Sequence, residues 1–160
     1  MNIRRTTLAD LEALIPIFDY ARAIMRATGN HQQWTGGYPS REVLMEDIRL
    51  EQSYVCVDEL GELLATFCFF IGDDPTYSYI ENGTWLNDFP YGVVHRLATN
   101  GKQKGMGAYC IDWCYRQCPN LRIDTHYDNV VMQSVLLKAG FVSCGTIYLA
   151  NGDKRQAFHK

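Results

Sequence analysis

The sequence contains no apolar run of 18 residues, so nothing in it reads as a membrane-spanning helix. It also lacks a basic excess: 15 Lys and Arg stand against 18 Asp and Glu, for a net charge of -3 and a pI near 5.8. Binding to nucleic acid needs a dense basic footprint, and that class of partner is not expected. Met1-Asn2-Ile3-Arg4-Arg5 runs into polar Thr6-Thr7, without the apolar core of a signal peptide, so the expected location is cytoplasmic. Cys-x-x-Cys pairs with converging histidines are missing too, and no metal site is expected. Of the six cysteines, Cys110, Cys114 and Cys118 recur every fourth residue along one face of a predicted helix and read as small buried hydrophobes. Without a secretory route, Asn82-Gly83-Thr84 reads as a turn rather than a glycosylation site. A chain of 160 residues buries an ordinary core without staples, and a single domain over 1–160 is expected.

What is present alternates between two periods. Ile3-Arg4-Arg5 reads as a short strand, and Thr7 with Asp10 caps a helix whose apolar positions are Leu11, Leu14, Ile15, Phe18, Ala21 and Met25. Pro16 should kink or split that helix, and Gly29 closes it. An aromatic loop with Trp34 and Tyr38 precedes a second helix, capped by Ser40. Tyr54–Val57 and Leu63–Ile71 read as strands around the turn 58–62. The stretch 72–91 is a long connection, and long connections are usually functional or disordered; Tyr77, Tyr79, Trp85 and Phe89 argue against disorder. A central strand (93–99), a glycine turn, a helix to about Gln117, a strand (121–125), a helix (129–139) and a hairpin around Asn151-Gly152 complete the chain. The order is β-α-α-β-β-β-α-β-α-β-β. It implies an α/β fold in which a mixed sheet of about seven strands carries helices on both faces.

The glycine turn is the first chemical landmark. In Lys102-Gln103-Lys104-Gly105-Met106-Gly107-Ala108 two glycines allow positive φ and close backbone approach, just before a helix N-terminus with its free N–H groups. Phosphates sit at such places. Arg96, Lys102 and Lys104 form a small basic cluster here, suited to a compact anion rather than a polymer. No Gly-Lys-Ser/Thr ending is present, so this is not a Walker loop. Nor is it a Rossmann turn, which follows an early strand and has an acid about twenty residues later.

With Asn129 and Gly140-Phe141 downstream, the segment from His95 to Phe141 resembles the acetyl-CoA core of the GNAT N-acetyltransferase superfamily. The turn is similar to the family's Gln/Arg-x-x-Gly-x-Gly/Ala hallmark, with Lys102 in place of the usual Gln or Arg and a shorter loop between Thr99 and Gly105. The order of elements matches over nearly the whole chain, which implies a sheet splayed at its central parallel pair. The resemblance implies that backbone amides of Gln103, Lys104, Gly105, Met106, Gly107 and Ala108 hold the pyrophosphate of acetyl-CoA. Leu97, Ala98 and Thr99 would pair with the pantetheine arm, and Asn129 would bond the pantetheine or thioester end. The acceptor, a small-molecule or peptide amine, would enter between the loops around Trp34 and Trp85, and coenzyme A would leave as product.

An alkyl amine with a pKa of about 10.4 needs a base before it attacks a thioester near neutral pH. His95 is the first candidate, two residues before Leu97; the competing reading is a structural histidine bonded across the sheet. His126, at the end of the next strand, is the second candidate, unless it sits on a solvated strand end. Many members of the family carry a Tyr four residues before the Gly-Phe glycine as acid toward the thiolate. Leu136 stands there, leaving water, Tyr109, Tyr127 or Tyr148. The alternative function is an acyl-CoA-binding sensor that has lost its chemistry; a third keeps the fold but changes the acyl group or takes a hydroxyl acceptor. The aromatic loops equally suit a homodimer contact.

Overall fold

The element order is the one the apolar periods imply. A computed structural model of the chain describes residues 1–160. It runs β1 (Asn2–Arg5), α1 (Leu11–Ala27), α2 (Arg41–Arg49), β2 (Ser53–Val57), β3 (Leu63–Ile71), β4 (Gly92–Thr99), α3 (Met106–Gln117), β5 (Leu121–Thr125), α4 (Val130–Lys138), β6 (Val142–Tyr148) and β7 (Lys154–His159). The seven strands form one sheet in the order β1-β2-β3-β4-β5-β7-β6, antiparallel except for β4 against β5. No helix is long and apolar enough to cross a membrane.

Strand alternation divides the core between the two faces. Cys56 of β2 joins Met106, Cys110, Ile111, Cys114 and Leu136 of α3 and α4, while its neighbours Val55 and Val57 meet Leu14, Phe18 and Leu44 of α1 and α2. The buried cysteines are thus core residues; burial pushes the thiols of Cys68 and Cys110 up to about 12. Cys118 leaves the expected helical face. The chain turns extended there, ahead of Pro119, with φ -145.

Packing decides two expectations: it corrects the split at Pro16 and bears out an ordered 72–91 segment. Pro16 neither splits nor ends α1. Glu12, whose carbonyl the missing N–H would have bonded, is an exposed residue, so losing that bond does not orphan a buried group. The stretch 72–91 is a fitted cover over the α1 face of β4, β6 and β7: Tyr77 and Tyr91 are buried against Val93, Ile147 and Ala157. Backbone bonds between Glu81 and Thr146 stitch it to β6.

Candidate active site

β4 and β5 pair through two positions only, Gly92 with Leu121 and Val93 with Arg122, although the strands run on to Thr99 and Thr125. Beyond them the sheet splays, and on the β5 side the backbone of 94–99 faces no strand. The β3–β4 register slips at the same level: Cys68 faces His95 and Thr66 faces Ala98, so β4 carries an extra residue. Arg96 in this bulge has φ +51, a conformation that costs a non-glycine residue on the order of 1 kcal/mol. Its guanidinium is held by both oxygens of Asp47 on α2, at 2.6 and 2.7 Å, and by the Tyr38 hydroxyl at 3.1 Å. Burial opposes the charge on Arg96, but the Asp47 hydrogen bonds outweigh it and raise the pKa.

The splay opens into a cleft of 930 Å³. Its walls are α1, the 32–38 loop, the turn at 101–108, α4 and the β6–β7 hairpin. At the turn, Gly105 has φ +77 and ends in α3 with no side-chain cap. A Cβ on Gly105 would project into empty space, and one on Gly107 would meet only Leu97, at 3.9 Å. The backbone amides of Gln103 through Ala108 donate to no acceptor in the protein; the first helical bond belongs to Tyr109. Six successive free amides, glycine-lined and at the positive end of a helix, fit the pyrophosphate of coenzyme A.

On the opposite side of the splay lies a chain of five side chains. Tyr77 donates its hydroxyl to Asp124 Oδ1 at 2.5 Å, and that oxygen is 3.8 Å from His95 Nδ1. His95 Nε2 lies 2.6 Å from Asp74 Oδ2, and Asp74 Oδ1 accepts from the Thr76 amide and hydroxyl at 2.9 and 2.7 Å. Burial alone would push the Asp74 carboxyl up. The bonds from His95 and Thr76 prevail and hold it at about 2, ionised at any ordinary pH. Burial, followed by the charge of Asp124, pushes the Tyr77 hydroxyl well above its usual value, so it stays a donor. The carboxylate at Nε2 accepts a ring N–H there, and the tautomer that supplies it carries its lone pair on Nδ1.

Of the residues singled out from sequence, His95, Leu97, Ala98, Thr99, Gln103, Lys104, Gly105, Met106, Gly107, Ala108, Asn129 and Trp34 line the cleft. Lys102 does not: its ammonium pairs with Glu62 on the β2–β3 turn. His126 is outside as well. Its Nδ1 accepts from the Asp128 amide at 2.9 Å, and burial together with the Arg155 charge lowers its pKa. Trp85 lies in the 72–91 cover, donating to the Tyr77 carbonyl at 3.0 Å and stacking on the Arg122 guanidinium. Asn129 Oδ1 caps α4 by accepting from the Met132 amide, and its Nδ2 donates to Gln33 across the cleft, each at 3.0 Å. Leu136 is a core side chain with no exposure. Tyr127 and Tyr148 bond Thr146 and Glu81 outside the cleft, and Tyr109 packs against the core.

Sequence reading missed Asp74, Asp124, Thr125, Gln33 and Arg155, all in the cleft wall. The Thr125 hydroxyl is buried there without a partner. Period-two alternation along β5 would have placed Asp124 and Thr125 on opposite faces of the splay. Asp74 and Gln33 come from loops, which carry no such period.

No family model matches the sequence, and no curated protein matches it. Solved structures do. The chain is similar to a GNAT-family acetyltransferase from Streptococcus agalactiae, with 30% identity over 99% of this chain and 94% of that one, at a TM-score of 0.90. A GNAT-family acetyltransferase from Listeria monocytogenes shares the fold at 15% identity, over 99% and 93% of the two chains, with a TM-score of 0.72. So does the NatB acetyltransferase complex bound to CoA and MES, at 8% identity over 100% and 98% and a TM-score of 0.65. The splayed parallel pair, the bulged β4 and the amide-lined turn thus occur on a chain whose whole length follows that of the streptococcal enzyme, and the protein belongs to the GNAT family of acetyltransferases.

Proposed function

We propose that the protein is an acetyl-CoA-dependent N-acetyltransferase acting on an amine, with His95 as its general base. The observation that carries this reading is the position of His95, on the bulged strand at the splay and in the cleft wall, with Nε2 on the Asp74 carboxylate and Nδ1 3.8 Å from Asp124 Oδ1. Membership of an acetyltransferase family supports acyl transfer in general.

The free amides of Gln103 through Ala108 would hold the pyrophosphate, and the unpaired edge of Leu97, Ala98 and Thr99 would bond the pantetheine. Asn129 would contribute a bond to the same arm by sharing the amide it now gives Gln33. Bound there, acetyl-CoA supplies a thioester carbonyl open to attack by an amine. His95 Nδ1 takes the proton of that amine, and the ring becomes cationic between Asp74 and Asp124, which is where its charge is best compensated. The hydroxyl of Thr125, buried and unbonded at the splay, is available to donate toward the leaving sulfur. Trp34 walls the acceptor side.

Release of free thiol from acetyl-CoA across a panel of amines tests this reading. Turnover with at least one amine is the expected result. If acetyl-CoA raises the melting temperature yet no amine yields thiol, the protein is an acyl-CoA sensor instead; the intact His95–Asp74 pair does not favour that outcome.

A further inference from the structure

Arg155, the second residue of β7, lines the cleft with only 7% of its surface exposed. Its one hydrogen bond within the protein is from Nη1 to the Lys154 carbonyl, at 3.1 Å, and no carboxylate lies within 4.0 Å of it. The two other arginines packed into the sheet have partners within the protein, although the Nε of Arg122 is buried without a bond and Arg122 too lacks a carboxylate within 4.0 Å. Arg96 is clamped by Asp47, and Arg122 lies between the rings of Trp85 and Tyr91 at 4.4 and 4.0 Å. A buried cation without a counter-ion is costly, and its partner is then to be sought in whatever enters the cleft.

The register places it. Asp124 faces Ala157 and Thr125 faces Gln156, so Arg155 is the diagonal same-face neighbour of Asp124, with about 7–8 Å between the two positions. Asp124 in turn abuts the His95 ring. The carboxylate of Asp153, which also lines the cleft, accepts from the Asn151 side-chain amide at 3.0 Å and stands more than 4.0 Å from the guanidinium. One wall of the cleft therefore presents His95 between two carboxylates, then a free guanidinium. The carboxylates attract an ammonium group, and the planar fork of an arginine matches a carboxylate with two parallel hydrogen bonds.

We propose that the acyl acceptor is an amino acid, whose amine lies at His95 and whose carboxylate is held by Arg155. The inference rests on the N-acetyltransferase reading of the same cleft. It is tested with the twenty common amino acids and their carboxamides, each titrated calorimetrically into the protein saturated with coenzyme A and each assayed for thiol release with acetyl-CoA. At least one free acid should bind and react roughly tenfold or more better than its amide. In Arg155→Gln the acid should fall to the level of the amide, chiefly through KM, and Arg155→Lys should recover part of the difference. Binding of coenzyme A to each variant reports that it is folded.

Equal behaviour of acids and amides in the wild type overturns the proposal. So does a preference for acids that survives in Arg155→Gln, or a panel in which nothing binds. Arg155-dependent binding of an acid without thiol release keeps the carboxylate site and removes the enzymatic reading. Thiol release at equal rates from acid and amide does the reverse.

Discussion

His95 Nε2 lies 2.6 Å from Asp74 Oδ2, a contact between β4 and a loop residue 21 positions earlier in the chain. Asp74 is anchored from the other side by Thr76, and its own amide donates to the Tyr91 hydroxyl at 2.9 Å. The imidazole is therefore oriented by a fixed carboxylate, the arrangement that sets a tautomer for general-base work.

His95→Ala should lower kcat at neutral pH by about two orders of magnitude or more, with acetyl-CoA affinity nearly intact. Asp74→Asn keeps the shape but removes the charge that holds the proton on Nε2, and should lower kcat roughly tenfold or more without moving the KM for acetyl-CoA. Steady-state kinetics on both variants check this. An unchanged kcat for His95→Ala across the pH range would sink its role as base.

Two lysines of the turn should separate cleanly. Lys102 pairs with Glu62 outside the cleft, whereas Lys104 lines it. Lys102→Ala should leave coenzyme A affinity within about twofold, since an exposed pair contributes little. Lys104→Ala should weaken it several-fold, in a salt-dependent way. Gly105→Glu should abolish binding, because the new side chain needs φ +77, fills the ligand's space and repels phosphate. Calorimetric titration of coenzyme A into each variant decides; retained binding in Gly105→Glu would mean that the phosphate seat lies elsewhere.

The sequence made the scaffold legible because periodicity, caps and turn residues act locally. The β4 strand, the amide turn, α4 and the closing hairpin all follow from signals within a few residues of one another. Side-chain direction inside loops has no such local cause. Lys102 is drawn out of the site by Glu62, 40 positions away, and Trp85 packs into a cover whose partners lie on β5 and β7. An aromatic residue in a long loop reads the same whether it lines a cleft or fills a core. The flanking carboxylates of His95 escaped for the same reason, since Asp74 and Asp124 meet it only after the sheet has formed.

His159 should govern stability in mild acid. It is fully buried, its Nδ1 accepting from the Leu86 amide at 3.1 Å and its Nε2 donating to Asn120 Oδ1 at 2.8 Å. Burial, with the charge of Arg122, lowers its pKa to about 4. The unfolded chain takes up this proton near its ordinary value of about 6.5, and the folded protein does not until about 4. Stability from this group is thus complete above about 6.5 and lost progressively as pH falls from there to about 4, by on the order of 3 kcal/mol. Urea unfolding of wild type and His159→Gln at intervals between pH 7 and pH 4 tests the sign. The wild type should lose stability over that range more steeply than the variant, and parallel curves would assign the acid sensitivity to other groups.

Asp47 ties the strained bulge to stability and to binding at once. Asp47→Ala leaves the half-buried Arg96 guanidinium without its carboxylate, a change that costs up to about 3–5 kcal/mol when a buried pair is broken on one side. It also releases the clamp that offsets φ +51 at Arg96, one residue before the backbone edge Leu97–Thr99. The bulge should then relax toward regular pairing with β3, moving that edge away from the gap. The expected outcome is a lower urea midpoint together with a raised KM for acetyl-CoA. Asp47→Ala combined with Arg96→Met removes the orphaned charge as well, and should recover stability without recovering KM. Recovery of both in the double variant would show that the ion pair supports the fold alone and that the bulge holds its shape without it.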